Sequence, residues 1–294
     1  FTSRPVGDAM ATTIWGMSSS WTLTALPLFV WMGEILFRTK LSENLFEGLS
    51  PGMQNLPGGL IHVNVVGCAI FAAISGSSAA TVATVGKMSI PELRKRNYPE
   101  KILLGSLAGS GTLGLLIPPS IILIIYGVTV QESIAKLFIA GIFPGIMIAI
   151  IFMTYVVIWS LMNKNKMPVL TVDIVFIEKI KKSGKLIPVI LLIVSVIGSI
   201  YSGVATATEA ASLGVVGALI LSFFQKSLTM DSFKKSLLGA TKTSCMIGFI
   251  LAGSTFLSLA MGFTGLPRNL AIWIDTMQLS PYILIICLLY TSPS

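Results

Sequence analysis

Two short polar passages, rich in glycine and proline, interrupt what is otherwise a succession of long apolar stretches: Ser75-Gly76-Ser77-Ser78-Ala79-Ala80-Thr81 and Gly111-Thr112-Leu113-Gly114-Leu115-Leu116-Ile117-Pro118-Pro119-Ser120. In hydrocarbon an unpaired backbone group is so costly that non-helical chain at membrane depth survives only where protein or an enclosed watery site satisfies it. The apolar stretches are membrane-grade by composition: 54% of residues are hydrophobic and 11% charged, and the mean hydropathy is +0.87. An all-α, polytopic membrane protein is therefore predicted, with the bilayer as its first partner. The net charge of +8 does not predict a nucleic-acid partner, because the basic residues fall in short runs between apolar spans, as in cytoplasmic loops.

Apolar stretches long enough to enter or cross about 30 Å of hydrocarbon run from Leu23 to Phe37, Leu60 to Val85, Ile102 to Val128, Leu137 to Met162, Leu186 to Tyr201, Val204 to Phe224, Leu237 to Phe263 and Pro281 to Tyr290. Arg38 and Lys40, then Lys87 to Lys101, then Lys164 to Lys185, then Lys226 to Lys235 mark four cytoplasmic segments. Leu60 to Val85 thus begins and ends on one side yet is too short to cross twice, which predicts a re-entrant hairpin with its tip near Ser75 to Ser78. The span from Ile102 is expected to break at Pro118-Pro119, since tandem prolines donate no backbone hydrogen bonds. Hairpin tip and broken span can then meet. Val172, Ile174, Val175, Ile177 and Ile180, interleaved with Lys179, Lys181, Lys182 and Lys185, read as an amphipathic surface helix, with a solvated basic loop as the alternative.

Leu26-Pro27-Leu28-Phe29 through Leu41-Ser42-Glu43-Asn44-Leu45 is similar to Gly253-Ser254-Thr255-Phe256 through Leu266-Pro267-Arg268-Asn269-Leu270. The charge rule runs the first copy inward and the second outward, which is an inverted-topology repeat, and broken helices in such repeats are where secondary transporters bind ions and substrate. The expected organisation is a first repeat over 1–162, with hairpin at 60–86 and broken span at 102–128, a connector at 163–185, and the opening of a second repeat at 186–294. With the repeat spacing kept, the counterparts of the hairpin and of the proline break fall near about position 300 and about position 343. The chain thus reads as a fragment, an expectation joined by the absence of an initiator methionine.

Several passages resemble the large membrane subunit of the tripartite ATP-independent periplasmic (TRAP) transporters, the DctM-like family: Pro27-Leu28-Phe29 with Gly33-Glu34, Leu56-Pro57-Gly58-Gly59, Ile74 to Gly86, Pro91-Glu92-Leu93, Gly105 to Ser120, Gly141 to Gly145, and Gly203 to Ala211. The resemblance implies a sodium-coupled importer in the bacterial inner membrane. A periplasmic solute-binding protein would hand an organic anion, such as a C4-dicarboxylate, another carboxylate or a sialic acid, to this unit. A small four-helix membrane subunit would accompany it, and transport would follow an elevator mechanism. No cofactor is expected beyond sodium as coupling ion. Alternatives are a stand-alone carboxylate symporter of a related superfold, an intramembrane enzyme and a non-transporting scaffold; paired carboxylates, a His/Asp set and metal-ligand spacing are all missing from the sequence.

Sodium favours oxygen ligands, which a chain break supplies as carbonyls with hydroxyls beside them. The candidates are Ser75, Gly76, Ser77 and Ser78 at the tip and Gly114, Ile117, Pro118 and Ser120 at the break, and the resemblance places a sodium site at this pair. The competing reading is that small residues there serve close helix packing. Ser78 and Thr81, with the helix start after Pro119, are candidates for a substrate carboxylate, because helix N-termini attract anions. Glu209, an acid near the start of an apolar span, is with Thr206 a candidate for a coupling role in transport, because intramembrane carboxylates are functional suspects, yet the two also have the spacing of a capping box. Glu34 is read as interfacial or paired with Arg38, and His62 as a polar residue at the hairpin base. Cys68, Cys245 and Cys287 are read as small buried hydrophobes. Gly86-Lys87 lacks the earlier glycine and following Ser/Thr of a phosphate loop, so no nucleotide is expected.

Overall fold

In the computed structural model, residues 6–39, 41–168 and 184–291 are described. The helices are α1 Val6–Ser18, α2 Ala25–Phe37, α3 Leu41–Met53, α4 Ile61–Ser75, α5 Ser78–Lys95, α6 Glu100–Gly111, α7 Ile121–Val130, α8 Ile134–Met162, α9 Ile187–Tyr201, α10 Ala207–Phe224, α11 Met230–Thr264, α12 Leu266–Thr276 and α13 Pro281–Thr291. Among the described residues there are helices and turns and no strand. Among the described residues, α8, α10 and α11 are long and apolar enough to cross a membrane, and α4, α7 and α9 are shorter apolar helices. At about 1.5 Å per residue, the 29 residues of α8 span about 43 Å, more than the hydrocarbon thickness.

The chain forms two compact units, Ser20–Cys245 and a smaller one of Phe1–Ser19 with Met246–Ser294. In the smaller unit the Thr255 hydroxyl reaches Met17 Sδ at 3.5 Å, joining α1 to the last part of α11. The larger unit carries the packed core. There α2 lies against α10, α4 and α7, and α4 lies against α5, α6 and α8. Val65, Ala72 and Leu113 are fully buried, with Ile117, Ile148, Ala149, Phe152 and Met153 packed on them. Phe29 of α2 meets Phe138 of α8 edge to face at 6.1 Å. Between apolar helices in lipid, such packing and close backbone approach supply the attraction that water would otherwise drive.

Some boundaries differ from expectation. Leu41 to Met53 and Leu266 to Thr276 form helices α3 and α12, although neither is apolar enough to stand out as a span. The second arm of the hairpin continues through Pro91 to Lys95, ten residues beyond the apolar limit at Val85. Arg94 and Lys95 in the last turn complement the helix dipole there. The amphipathic helix expected over Val172 to Lys185 falls outside the described residues for all but its end. Cys68 is buried as expected, whereas Cys245 and Cys287 are exposed. Cys245 shares its face with exposed Phe249, four residues on, and an apolar residue facing lipid need not be buried in protein.

Candidate functional site at the junction of two chain breaks

The hairpin is sharply made. α4 ends at Ser75, and Gly76 takes a left-handed conformation (φ 59°, ψ 8°) with its N–H donated to the Ala72 carbonyl. Ser77 is extended and caps α5, its hydroxyl accepting from the Ala80 N–H. A Cβ on Gly67 would lie 3.6 Å from Val85 Cγ1, so the arms fold back on each other in antiparallel register. Thr81 donates its hydroxyl proton to the Ser77 carbonyl at 2.7 Å and sits 2.9 Å from the Ser75 hydroxyl. The Ser75 hydroxyl also reaches the Ser77 carbonyl, at 3.3 Å, so the two hydroxyls and this carbonyl form one cluster. Thr81 is fully buried, and its hydroxyl braces the tip.

The second break follows the same logic with different residues. After α6 the chain tightens into a 3₁₀ turn over Thr112–Leu115, the Ile117 N–H closes on the Leu113 carbonyl at 2.9 Å, and a cis bond joins Pro118 to Pro119. The Ser120 hydroxyl donates back to the Leu115 carbonyl at 2.6 Å, and α7 then starts at Ile121. Pro118, Pro119 and Ser120 are all buried.

The two breaks touch through their backbones. Ile121, the first residue of α7, donates its N–H to the Gly76 carbonyl at 3.2 Å. A Cβ on Gly76 would stand 2.6 Å from the Pro119 carbonyl oxygen, and one on Gly114 would stand 2.9 Å from Ser77 C and Ser78 N. Real Cβ contacts do not come this close, so only glycine permits the approach at these two positions. Consequently the N-termini of α5 and α7 and the C-terminus of α4 converge on one place. Positive helix ends suit an anion and terminal carbonyls suit a cation, so this crossing can serve both. The oxygen donors are neutral carbonyls and hydroxyls, and no group of three or more His, Cys, Asp or Glu gathers among the described residues. That set fits a monovalent hard cation better than a divalent one, which calls for carboxylates.

The structure also reveals walls that sequence reasoning did not assign to the site. A Cβ on Gly33 of α2 would lie 3.0 Å from Ser75 Cα, and one on Gly141 of α8 would lie 2.7 Å from the Leu116 carbonyl oxygen. Gly145 faces the Ile117 side chain, so Ile117 acts partly as packing. The passages Gly33-Glu34 and Gly141 to Gly145 held the signal, as glycines set singly in apolar helices. Thr206 and Glu209 lie elsewhere, at the start of α10. Both halves of a capping box are present: the Glu209 N–H donates to the Thr206 hydroxyl at 3.3 Å and the Thr206 N–H to Glu209 Oε2 at 2.8 Å. Of the two readings of Glu209, the helix cap is the one the geometry carries. Arg38 pairs with Glu34 at 2.9 Å. His62 is fully buried at the hairpin base, with Nε2 2.8 Å from the Pro57 carbonyl.

The profile of the family described as "Tripartite ATP-independent periplasmic transporter, DctM component" matches residues 1–291. The chain belongs to this family. It is 32% identical over 279 residues to the C4-dicarboxylate TRAP transporter large permease protein DctM of Pseudomonas aeruginosa, covering 95% of this chain and 65% of that protein. It is 32% identical over 282 residues to the 2,3-diketo-L-gulonate TRAP transporter large permease protein YiaN of Escherichia coli, with 95% and 65% covered. It is 30% identical over 274 residues to the sialic acid TRAP transporter large permease protein SiaM of Vibrio cholerae, with 92% and 63% covered. The chain thus spans a little under two thirds of the length of these relatives. With its several apolar helices, this DctM-family chain is a multi-pass membrane protein.

Proposed function

We propose that this chain carries an ion- and substrate-binding half of the large permease of a sodium-coupled TRAP transporter that imports an organic anion across the bacterial inner membrane. The observation that carries the reading is the backbone junction of Gly76-Ser77 with Gly114 to Ile121. It offers neutral oxygens for sodium beside two helix N-termini for a carboxylate. Sodium held by the tip and break would lock the two chain breaks together and so complete the anion site, giving each ligand the same favourable effect on the other's affinity. Ser75, Gly76, Ser77, Ser78, Gly114, Ile117, Pro118 and Ser120 would contribute to the ion site, and Ser78 with the turn after Pro119 to the anion site.

The relatives are named for C4-dicarboxylate, 2,3-diketo-L-gulonate and sialic acid, all carboxylates, which supports an organic acid as the substrate class. One further relative, from Oleidesulfovibrio alaskensis, is named as an isethionate permease DctMQ. We assign as partners a periplasmic solute-binding protein and a small four-helix membrane subunit. An inverted repeat and an elevator motion complete the proposal. In support, the apolar helix α2 is followed after a short break by the less apolar α3, and α11 is followed after a short break by the less apolar α12. Uptake by a protein containing this chain, reconstituted with both partners, is expected to require sodium. Uptake unchanged when choline replaces sodium at constant proton gradient would refute the coupling.

A further inference from the structure

A cavity of about 360 Å³ opens at the base of the hairpin, away from the junction of the two breaks. Its lining comes from three places in the larger unit: the turn before α4 (Gln54, Asn55, Gly58), Tyr98 between α5 and α6, and Met167 after α8. These meet for a physical reason. The arms of the hairpin are antiparallel, so the start of α4 lies beside the end of α5. The end of α8 joins them because a Cβ on Gly58 would lie 2.6 Å from Val156 Cγ1. Polar hydrogen-bonding groups therefore gather in the cavity wall, next to the termini where the basic residues of the larger unit are concentrated.

Three features define what this cavity can hold. The Tyr98 hydroxyl accepts the Leu60 N–H at 3.1 Å, so its own proton is available to a ligand in the cavity it lines; the Gln54 and Asn55 carboxamides add further donors. The nearby charge is positive: the Arg96 guanidinium is close enough to act on the Tyr98 phenol, and Lys164 and Lys166 directly precede Met167 and are exposed, with no carboxylate partner among the described residues. At this same end Glu92 faces both Lys95 and Arg96, and Glu100 faces Arg94, so the cations outnumber the carboxylates that pair with them among the described residues. On its exposed side, α8 presents Tyr155, Ile158, Leu161 and Met162. An apolar track thus runs down the helix toward Lys164 and Lys166, which follow its end.

We infer that this cavity binds the phosphodiester headgroup of an anionic phospholipid, with the acyl chains laid along the exposed face of α8. Uncharged donors inside, cations at the rim and an apolar approach match a lipid anion, and basic pockets beside membrane helices on the positive face recognise such headgroups. A free phosphate shares the charge but has no use for the apolar track.

The test uses a purified protein containing the chain, reconstituted in nanodiscs of phosphatidylcholine and phosphatidylglycerol at three to one, then extracted mildly, with retained lipid measured by mass spectrometry. The lysines are exposed, so Lys164→Gln and Lys166→Gln should leave folding intact. Each is expected to lower phosphatidylglycerol retention by about fivefold, while Lys234→Gln, in another basic segment, leaves it unchanged. Equal retention in all variants would overturn the assignment. Inorganic phosphate, titrated against the protein in phosphatidylcholine alone and followed by thermal unfolding, is expected to give no saturable shift. A saturable shift would assign the cavity to a soluble anion and overturn the lipid.

Discussion

Helix α8 carries on through Pro144 to Met162, whereas the helical path from Glu100 stops before Pro118-Pro119 and restarts only at Ile121. A single proline inside a helix loses one intrahelical bond and crowds one carbonyl; two in succession remove two donors and also force the preceding residues out of helical conformation. The neighbours differ as well. Around Pro144 the chain is apolar and Gly141 and Gly145 face inward, toward Leu116 and Ile117. Around Pro118-Pro119, by contrast, the Ser120 hydroxyl and the Gly76 carbonyl take up backbone groups that the break releases. The continuous helix is the wall against which the broken one is set. Here the helix stops at prolines where other residues are placed to satisfy what the break frees.

Gly76→Ala should break this contrast most severely. The new Cβ would need a left-handed backbone and would stand 2.6 Å from the Pro119 oxygen, so a stability loss of about 1–3 kcal/mol is expected. Sodium-dependent uptake should fall to background, measured in proteoliposomes beside a thermal-unfolding curve. Gly114→Ala is the next test. It has no unusual φ but would press on the Ser77 backbone at 2.9 Å, and it should weaken apparent sodium affinity by about tenfold, equivalent to about 1.4 kcal/mol. Wild-type sodium dependence in this variant would show that the two breaks need not touch.

Smaller effects sharpen the comparison. Ser75→Ala leaves Thr81 bonded to the Ser77 carbonyl but removes the second hydroxyl of the brace. Loss of about 1 kcal/mol of stability is expected, with a several-fold rise in the sodium concentration for half-maximal uptake. Thr206→Ala deletes the α10 cap at a similar cost of about 1 kcal/mol, yet sodium dependence should not move. A changed sodium curve would restore Glu209 and its partner to the transport machinery. Least affected should be Pro144→Ala, which returns a backbone donor to α8: uptake should stay within about twofold of wild type. A large loss would make Pro144 a second working break.

Much of this site was legible before any coordinates. Ser75 to Ser78 and Pro118-Pro119 stood out because polar, glycine-rich or donor-free sequence is incompatible with lipid-facing chain. The Thr206/Glu209 cap followed from spacing alone, since capping is local. Less legible were Gly33 and Gly141, whose importance lies in which distant backbone they face. The orientation of Thr81 was likewise hidden, because a hydroxyl within one turn of a chain break can turn inward as readily as outward. Helices α3 and α12 are hard to read from sequence for another reason: neither has the uninterrupted apolar run that marks a span, and each carries polar groups along much of its length.

By itself the sequence determined that the chain is helical, that it belongs in a membrane, and where its helices cannot continue. Those are matters of composition, period and missing donors, which act within a few residues. Only the tertiary structure decided that the Gly76 carbonyl receives the Ile121 N–H, that Gly114 lies against Ser77, and that α2 and α8 close around them. These contacts join residues far apart in the chain. They depend on absent side chains as much as on present ones, and a glycine's empty space acquires a meaning only when the fold shows what fills it.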